Sequence, residues 1–425
     1  MGGRLRDSRS HGLLLRTFLV CGLLYCMYLV TRQAIASWYF RKKLPQDIQT
    51  AIKWDPENPQ YYDALATLTH LYSSGGNSGE VVRLCEKATQ LSPHDAFYWA
   101  DLGAAYERAG RNNDALQAFD RARELFPNSP EINWKAANFY VRTRHISDAL
   151  AALQKVLLED SARERQVFVL ATNATGDNEV ILDEMLPRHA PVILDYLNFQ
   201  VASNQMEAAR KTWSTLLELK LPFELAQSFP YLDALIQHRD ADDLTEAWAA
   251  LCARFPQEVC ARESKPNLIT NGDFAFAPLN GGLDWRVIPV EGAAVSEDAA
   301  DGADGTKSLR LDFDGTQNLE YGHVFQYVPV TPNTVYTFSA YARAQGITTD
   351  SGPRFEVLDA YDPPKLLLST ENMIGSSDWS AHRLEFDTKP DTRILIIKIA
   401  RPVSHKLGNR LAGTIWITRV TLLPK

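Results

Sequence analysis

The sequence has 425 residues, of which 45% are apolar and 23% are charged, and its formal net charge is -8. A chain of this length can form two or three domains, each with its own core. It is too apolar to be disordered throughout, and it lacks the surplus of lysine and arginine that non-specific nucleic-acid binding requires. We therefore expect no nucleic-acid partner. Five cysteines also exclude a small disulfide-stapled scaffold.

An uncharged apolar segment lies near the amino terminus. Residues 17–31 read TFLVCGLLYCMYLVT, and residues 13–15 extend the apolar run upstream. About 20 apolar residues cross the hydrocarbon core of a bilayer. The aromatic pair Trp38 and Tyr39, followed by three basic residues, is typical of a membrane interface. We predict a cytoplasmic tail and a single transmembrane anchor within residues 1–43, with a cleaved signal peptide as the alternative.

The basic residues on the two sides of this segment are nearly balanced, so the positive-inside rule does not decide the orientation. Arginines stand at positions 4, 6, 9 and 16, and four basic residues follow the segment. An uncleaved signal-anchor with a long following domain usually exports that domain. We therefore expect a single-pass protein of the inner (cytoplasmic) membrane, with its carboxy-terminal domains in the periplasm or otherwise outside the cytoplasm.

Internal repeats occupy the next part of the chain. Pro59, Pro93 and Pro127 recur at a spacing of 34 residues, which indicates stacked helical units. Residues 96–129 place two apolar faces at helical spacing on either side of Gly110. The residues at the characteristic positions are Trp99, Leu102, Gly103, Tyr106, Ala115, Phe119, Ala122 and Pro127. This order closely resembles the tetratricopeptide repeat.

Weaker copies of the pattern flank this unit. Residues 62–95 and 130–163 keep the same frame, and residues 190–219 and 222–253 keep helix-turn-helix spacing. We predict about five helical pairs, forming a tetratricopeptide-like α-solenoid over residues 44–262. Such a solenoid has no catalytic pocket of its own and binds protein partners on its concave face.

The resemblance implies that the protein-binding groove is formed by the first helix of each repeat. Transferred to this chain, the groove residues are Asp63, His70, Phe97, Glu107, Arg108, Trp134, Asn138 and Arg142. The alternative is that the charged residues form a solvated face and that the aromatic residues cover a neighbouring helix.

Short alternating segments replace the helical pattern after Arg262. Residues 307–313 read KSLRLDF, in which apolar and polar residues alternate strictly. Strands without intervening helices predict an antiparallel β-sandwich, or jelly roll, over residues 263–425, with Trp285 and Trp416 in its core. The other strand-like segments are 335–343, 354–360, 382–388, 393–400 and 414–423.

The opening segment of this region, residues 267–285, reads NLITNGDFAFAPLNGGLDW. It resembles the start of carbohydrate-binding modules of the galactose-binding-like jelly-roll class, with matches at Asn271, Gly272, Asp273, Phe274 and Trp285. Many such modules hold a structural Ca²⁺ with carboxylates where this chain has Ala275 and Thr418. Because Ca²⁺ prefers carboxylate oxygens, we expect no metal, and nothing in the sequence indicates a cofactor.

Sugar recognition requires an exposed aromatic face for the ring and planar polar groups for the hydroxyls. The candidate carbohydrate-binding residues are Tyr321, His323, Gln326, Arg354, Glu356 and Trp379. The alternative is a structural role for each; Tyr321, for example, could cap a strand edge.

Catalytic motifs for phosphate binding, zinc binding and nucleophilic attack are absent from the sequence. Asp312 and Asp314 share one face of a strand, as the carboxylates of a glycosidase could, but a solvated strand face is the favoured interpretation. Cys252 and Cys260 lie eight residues apart and could pair if the region is exported.

The sequence therefore predicts a multidomain α and β protein without enzymatic activity. We expect a membrane-anchored scaffold or adaptor that binds protein partners in the groove and glycan on the jelly roll. The arrangement resembles bacterial envelope proteins that accompany polysaccharide assembly or export. Two alternatives stay open: a glycan hydrolase with a degenerate module, and a purely structural scaffold whose sandwich binds only protein.

Overall fold

The structure is a computed structural model that describes residues 4–72, 78–298 and 307–425. Residues 1–3 of the predicted tail lie outside the described part. The chain divides into two compact units, Met1–Val192 and Ile193–Lys425. The domain limits at residues 43/44 and 262/263 stay predictions.

The first unit is helical, and its helices follow one another in antiparallel pairs. Its elements are α1 (Arg4–Phe40), α2 (Pro45–Trp54), α3 (Pro59–Tyr72), α4 (Ser78–Leu91), α5 (Ala96–Arg108), α6 (Asn112–Leu125), α7 (Pro130–Arg142), α8 (Ile146–Glu159), α9 (Glu164–Thr175) and α10 (Asn178–Val180), which continues as a π-helix over Ile181–Met185.

The repeat pairs form where the sequence pattern places them. Asp95 and Ser129 cap α5 and α7 by accepting hydrogen bonds from the backbone of the first turn. Gly103 lies against the ring of Phe119, so a side chain at position 103 would crowd the second helix of the pair. The small residue required by the repeat pattern therefore allows α5 and α6 to pack closely.

Helix α1 contains one stretch, Arg16–Phe40, that is long and apolar enough to cross a membrane, as an anchor or a signal sequence would be. The end of this helix packs on the first repeats. Ala36 is fully buried, and the rings of Phe40 and Tyr61 lie 4.9 Å apart. Arg32 forms an ion pair of 3.3 Å with Asp55, which is 6% exposed. The apolar helix therefore continues into the repeat array without a linker.

The second unit combines helices with a β-sandwich. Helix α11 (Ala190–Ala202) spans the division between the units, and α12 (Met206–Glu218), α13 (Phe229–Gln237) and α14 (Ala241–Arg254) follow it. These are the divergent helical pairs predicted at residues 190–219 and 222–253. The strands are β1 (Arg286–Val287), β2 (Ala293–Asp298), β3 (Ser308–Asp314), β4 (Tyr321–Pro329), β5 (Val335–Ile347), β6 (Arg354–Asp359), β7 (Leu367–Ser369), β8 (Gly375–Asp387), β9 (Ile394–Arg401) and β10 (Ala412–Pro424).

The ten strands of the described residues form two antiparallel five-stranded sheets, which confirms the predicted sandwich. The first sheet has the order β1-β4-β9-β6-β7 and the second has the order β2-β3-β10-β5-β8. The inward faces form one core, and Trp285 is fully buried in it, as predicted. Trp416 is only 4% exposed but belongs to the outer face, because its neighbours Ile415 and Ile417 point into the core. The prediction of a core position for Trp416 is therefore wrong.

The sandwich packs directly against the last helical pair. Gly281 and Gly282 of the opening segment lie against the rings of Phe229 and Trp248. The Arg286 guanidinium is 2.6 Å from the Asp233 carboxylate. On a second loop, the Tyr361 hydroxyl donates a hydrogen bond of 2.6 Å to a carbonyl at the end of α13. These contacts join α13, α14 and the sandwich into one compact unit.

Candidate functional site

A pocket of about 290 Å³ opens between three helices of the repeat array. It lies where the first helices α5 and α7 pass side by side over the second helix α6. Five of the eight predicted groove residues line it, together with three residues that the sequence analysis did not select. The lining residues are Ala104, Glu107, Arg108, Phe119, Trp134, Lys135, Asn138 and Arg142.

Ion pairs between neighbouring repeats hold this pocket in shape. Arg142 donates two hydrogen bonds, of 2.6 and 2.8 Å, to the two carboxylate oxygens of Glu107. Lys135 donates one of 2.8 Å to Asp101, 34 residues earlier in the chain. Such bidentate pairing fixes both partners in orientation. Asp101 and Lys135 were missed, although opposite charges one repeat length apart are a usable signal for contacts between adjacent first helices.

Asp63 lies near this network but does not line the pocket. Burial and the neighbouring carboxylate of Asp101 raise the pKa of Asp63 to about 7, although the Lys135 ammonium opposes the shift. The two carboxyl groups are hydrogen-bonded to each other. This pair therefore holds a proton at mildly acidic pH, at which an isolated aspartate is ionised.

The two remaining predicted groove residues, His70 and Phe97, also lie outside the pocket lining. His70 is exposed in the last turn of α3. Phe97 is 41% exposed, and its ring meets that of Phe126 edge-to-face at 6.3 Å. The structure thus brings together Glu107, Arg108, Trp134, Asn138 and Arg142 and leaves Asp63, His70 and Phe97 at other places on the array.

The six predicted carbohydrate-binding residues do not converge. Five of them lie on the first sheet, and Trp379 lies on β8 of the second. Tyr321 is 3% exposed, and its hydroxyl has no hydrogen-bond partner among the described residues. Gln326 is fully buried and exchanges two hydrogen bonds with the backbone of Thr270. Both residues point inward from β4, so the expectation that they are exposed to a sugar is wrong.

The other three candidates on the first sheet point outward. Glu356 forms an ion pair of 3.1 Å with Lys398 on the adjacent strand. Arg354 is half-buried beside Ser351, and the ring of His323 lies 5.3 Å from that of Tyr321. The outer face of the first sheet therefore offers polar groups for sugar hydroxyls. Tyr321, the tyrosine that was expected to stack on the sugar ring, is buried beneath this face.

The outer face of the second sheet carries an aromatic and basic row, of which only Trp379 was predicted as a binding residue from the sequence. Trp416 on β10 is directly opposite Arg310 on β3 and Arg343 on β5. Their guanidinium groups lie 5.4 and 4.1 Å from its ring centroid, within cation–π range. Arg343 also lies 5.9 Å from the ring of Trp379, which is half-buried. We refer to Arg310, Trp416, Arg343 and Trp379 as the Arg–Trp row.

The two aspartates with glycosidase-like spacing are both held in the ionised form. Burial favours neutral Asp312, but hydrogen bonds from Arg310 and Thr414 keep its pKa below the ordinary value. Hydrogen bonds from Thr316 likewise lower the pKa of Asp314. A glycosidase pair requires one protonated carboxylic acid as well as one carboxylate. This arrangement does not provide that acid.

The place where the resembled modules hold Ca²⁺ does not fit that ion. The Lys307 ammonium donates a hydrogen bond of 2.8 Å to the Ala275 carbonyl, and the Thr418 hydroxyl donates one of 2.8 Å to the Lys307 carbonyl. A cationic side chain therefore lies where the resemblance implies a cation. Within the described ranges, His, Cys, Asp and Glu form no group of three or more that could hold a metal.

Cys252 at the end of α14 and Cys260 form a disulfide with a Cα–Cα distance of 4.8 Å. The other cysteines, Cys21, Cys26 and Cys85, are free. The bond ties the last helix to the segment that leads into the sandwich.

Two family descriptions match parts of the repeat region. One is a tetratricopeptide repeat, over residues 106–167, and the other is a bacterial transcriptional activator domain, over residues 58–128. The helices within residues 106–167 therefore match the tetratricopeptide repeat. No curated protein matches the chain.

Solved structures resemble the two parts of the chain separately. The MamA protein is 14% identical over 46% of this chain and 98% of its own, with a TM-score of 0.32. A CBM4 structure is 20% identical over 37% and 99%, with a TM-score of 0.27. A proposed sugar-binding protein from Bacteroides thetaiotaomicron is 14% identical over 37% and 100%, with a TM-score of 0.28. The structural neighbours of this chain thus include carbohydrate-binding modules.

Proposed function

We propose that this protein is a membrane-anchored, non-catalytic scaffold or adaptor of envelope polysaccharide assembly or export. The groove pocket docks a protein partner, and the sandwich contacts glycan. The observation that carries the proposal is the pocket between α5 and α7, where ion pairs between repeats hold Trp134 and Asn138 at a concave surface. Such a preformed, partly apolar pocket suits a side chain of an extended partner segment.

Site-specific photocrosslinking tests the docking surface. A photoreactive amino acid at Asn138 should crosslink a discrete partner protein in native membranes. The same amino acid at Gln117, exposed on the second helix α6, serves as the matched control. Identical crosslinked bands from both positions would contradict binding in the groove.

The exposed apolar face of α1 supports the anchor. Phe18, Leu23 and Val30 are 78%, 70% and 66% exposed, and an apolar surface of this kind requires a lipid or protein cover. Alkaline carbonate extraction of native membranes should leave the full-length chain in the membrane fraction. Complete release of the chain by carbonate would indicate a peripheral membrane protein. Absence of the amino-terminal segment from the mature protein would indicate a cleaved signal peptide.

The Cys252–Cys260 disulfide supports export of the carboxy-terminal part, because such bonds persist in oxidising compartments. We propose an inner-membrane location with the sandwich on the periplasmic side. A phosphatase fused after Lys425 should be active, since this enzyme requires export, and a fluorescent reporter that matures in the cytoplasm should be dark. The opposite pair of results would reverse the orientation.

The Arg–Trp row supports glycan contact, because half-buried Trp379 offers an aromatic face beside planar guanidinium groups. The detergent-solubilised full chain should bind members of a glycan array, and Trp379→Ala should reduce the signal at least tenfold. Trp54→Ala changes a comparably accessible tryptophan, 40% exposed, in the repeats and should leave binding unchanged. A silent array would remove the glycan part of the proposal and leave a protein-binding scaffold.

The absence of catalysis is also part of the proposal, supported by the ionised state of Asp312 and Asp314. Incubation of the full chain with bacterial polysaccharides should release no reducing ends. If the wild-type chain releases reducing ends and the Asp312→Asn variant does not, the hydrolase alternative is established instead.

A further inference from the structure

Strand β8 is a long edge strand with one open side. It is the last strand of the second sheet and pairs with β5 along its other side. It has 13 residues, whereas the other edge strands, β1, β2 and β7, have two, six and three. Short edge strands leave few backbone groups for another strand to pair with. No strand of the described residues covers the open side of β8, so its backbone can accept a further strand there.

Two backbone hydrogen bonds show which residues of β8 face the open side. The Thr388 N–H, just after the strand, donates to the Thr334 carbonyl at 3.0 Å, and the Lys425 N–H donates to the Val335 carbonyl at 3.0 Å from the opposite side of β5. Hydrogen-bonded and non-hydrogen-bonded pairs alternate along an antiparallel ladder. Asp387, which is opposite Val335, therefore directs its N–H and C=O away from β5. The residues at the same alternation, all exposed, are Ala381, Arg383 and Glu385.

The side chains at these positions carry opposite charges on one face of the strand. Arg383 and Glu385 are two residues apart and therefore share the outer face. Their direct neighbours on β5, Ser339 and Thr337, are uncharged. Arg383 forms no ion pair with any residue that the structure describes, and Glu385 binds Lys425 through one carboxylate oxygen, at 2.6 Å. The Arg383 guanidinium and the second oxygen of Glu385 are thus available to a strand on the open side.

We propose that β8 pairs with β8 of a second copy of this chain, in antiparallel orientation about a two-fold axis at Leu384. This axis places Arg383 of each copy opposite Glu385 of the other, and Ala381 opposite Asp387. All four residues direct their N–H and C=O toward the second strand, so the two strands exchange backbone hydrogen bonds. The second sheets of the two copies then form one continuous sheet. This inference goes beyond the proposed function and does not depend on the groove or on glycan contact.

The charge pattern selects both the partner and the register. A positive and a negative residue placed symmetrically about Leu384 make the strand complementary to itself in the antiparallel orientation. An axis at Arg383 would place two guanidinium groups opposite each other, and an axis at Glu385 would do the same with two carboxylates. Like charges directly opposite each other destabilise a strand pair, whereas opposite charges stabilise it. The pairing about Leu384 also covers the half-buried side chain of this residue, which lies at the rim of the core.

Charge reversal with rescue tests this pairing. The mass of the detergent-solubilised full chain is measured by sedimentation over a range of concentrations, and we expect a dimer at the upper end. Arg383→Glu and Glu385→Arg should each weaken the dimer by about tenfold, because each places like charges opposite each other at two symmetric positions. The double variant with both changes should recover the wild-type dissociation constant. Arg410→Glu makes the same charge change at an exposed position before β10 and should leave the dimer unchanged.

Three outcomes would overturn the inference. The first is a wild-type chain that stays monomeric at every concentration. The second is a wild-type dissociation constant in either single variant, which would assign the dimer to another surface. The third is a double variant that stays as weak as the single ones. Because both positions are exposed, the melting temperatures of the variants should match that of the wild type, and recovery in the double variant separates a lost charge pair from misfolding.

Discussion

The indole ring of Trp248 lies against the backbone of Gly282, where the last helix meets the opening segment of the sandwich. A methyl group at position 282 would overlap this ring, and the backbone there has a φ of +58°. A methyl group at position 281 would likewise overlap the ring of Phe229. The two consecutive glycines therefore allow the sandwich to pack directly onto two aromatic side chains of the helical pair.

Gly282→Ala should destabilise the second unit. The left-handed backbone disfavours an L side chain by roughly 1–2 kcal/mol, and the overlap with Trp248 adds about 1–3 kcal/mol. Gly346→Ala is the matched control, because Gly346 has a φ of +66° but nothing within 4 Å of an added methyl group. The melting temperature should fall several degrees further for position 282. Equal decreases in melting temperature at positions 282 and 346 would show that the contact with the Trp248 ring does not contribute to stability.

Arg401→Met should also destabilise the sandwich. The Arg401 guanidinium is fully buried and donates five hydrogen bonds to the loops before β4, β6 and β10. Methionine removes all five donors, so the oxygens that accept from them lose hydrogen bonds inside a buried site, at a cost of about 3 kcal/mol or more in the free energy of unfolding. Arg410→Met, at an exposed position, should change the urea midpoint little. A midpoint unaffected by Arg401→Met would show that water replaces the guanidinium without penalty.

Stability of the repeat array should fall as the pH rises from about 4 to about 7. The pKa of Asp63 is raised from 3.8 to about 7, so the folded state binds a proton that the unfolded state has released over this range. Asp63→Asn removes the titration, and its thermal midpoint should therefore decrease less between pH 5 and pH 8 than that of the wild type. Asp183→Asn, at an exposed position, should follow the wild-type curve. Parallel curves for Asp63→Asn and the wild type would contradict this account.

The unfolded, unreduced protein should react with three equivalents of a thiol reagent, and the reduced protein with five, because Cys252 and Cys260 are paired and three cysteines are free. Replacing both paired cysteines with serine should lower the free energy of unfolding by about 2–3 kcal/mol, the entropic value for a loop this short. A reducing agent should shift the wild-type midpoint but not that of the double variant. Five reactive thiols without reduction would contradict the bond.

Removal of divalent cations should leave the melting temperature unchanged. The Lys307 ammonium already binds the Ala275 carbonyl, and neither Ala275 nor Thr418 can supply a carboxylate to Ca²⁺. Lys307→Met should lower the melting temperature, and added Ca²⁺ should not restore it. A loss of several degrees with a chelator would indicate a cation site at another place in the chain.

The helical repeats were predictable because each depends on local spacing. Small residues such as Gly103 and Ala115 reveal the close packing of a pair. The opposite charges of Asp101 and Lys135, one repeat apart, carry a further signal for the contacts between pairs, which the prediction did not use. Local pattern therefore identified most of the lining of the groove pocket.

The faces of the sandwich were less predictable. The alternation of Ile415, Trp416 and Ile417 indicates that the tryptophan points away from the core, but its burial beneath two arginines depends on pairing with two other strands. Gln326 is buried because it binds Thr270, 56 residues earlier in the chain. Such long-range pairing leaves no local signature, and β4 itself was not among the predicted strands.

The ion pair between Arg32 and Asp55 and the burial of Ala36 fix the end of the apolar helix on the first repeats. A hydrophobic segment tilts when the thickness of the surrounding bilayer changes. With residues 16–31 in lipid, any such tilt is transmitted to α2 and α3 rather than lost in a flexible hinge. In the membrane-anchored protein proposed above, we therefore expect the composition of the bilayer to set the angle at which the first repeats meet a partner.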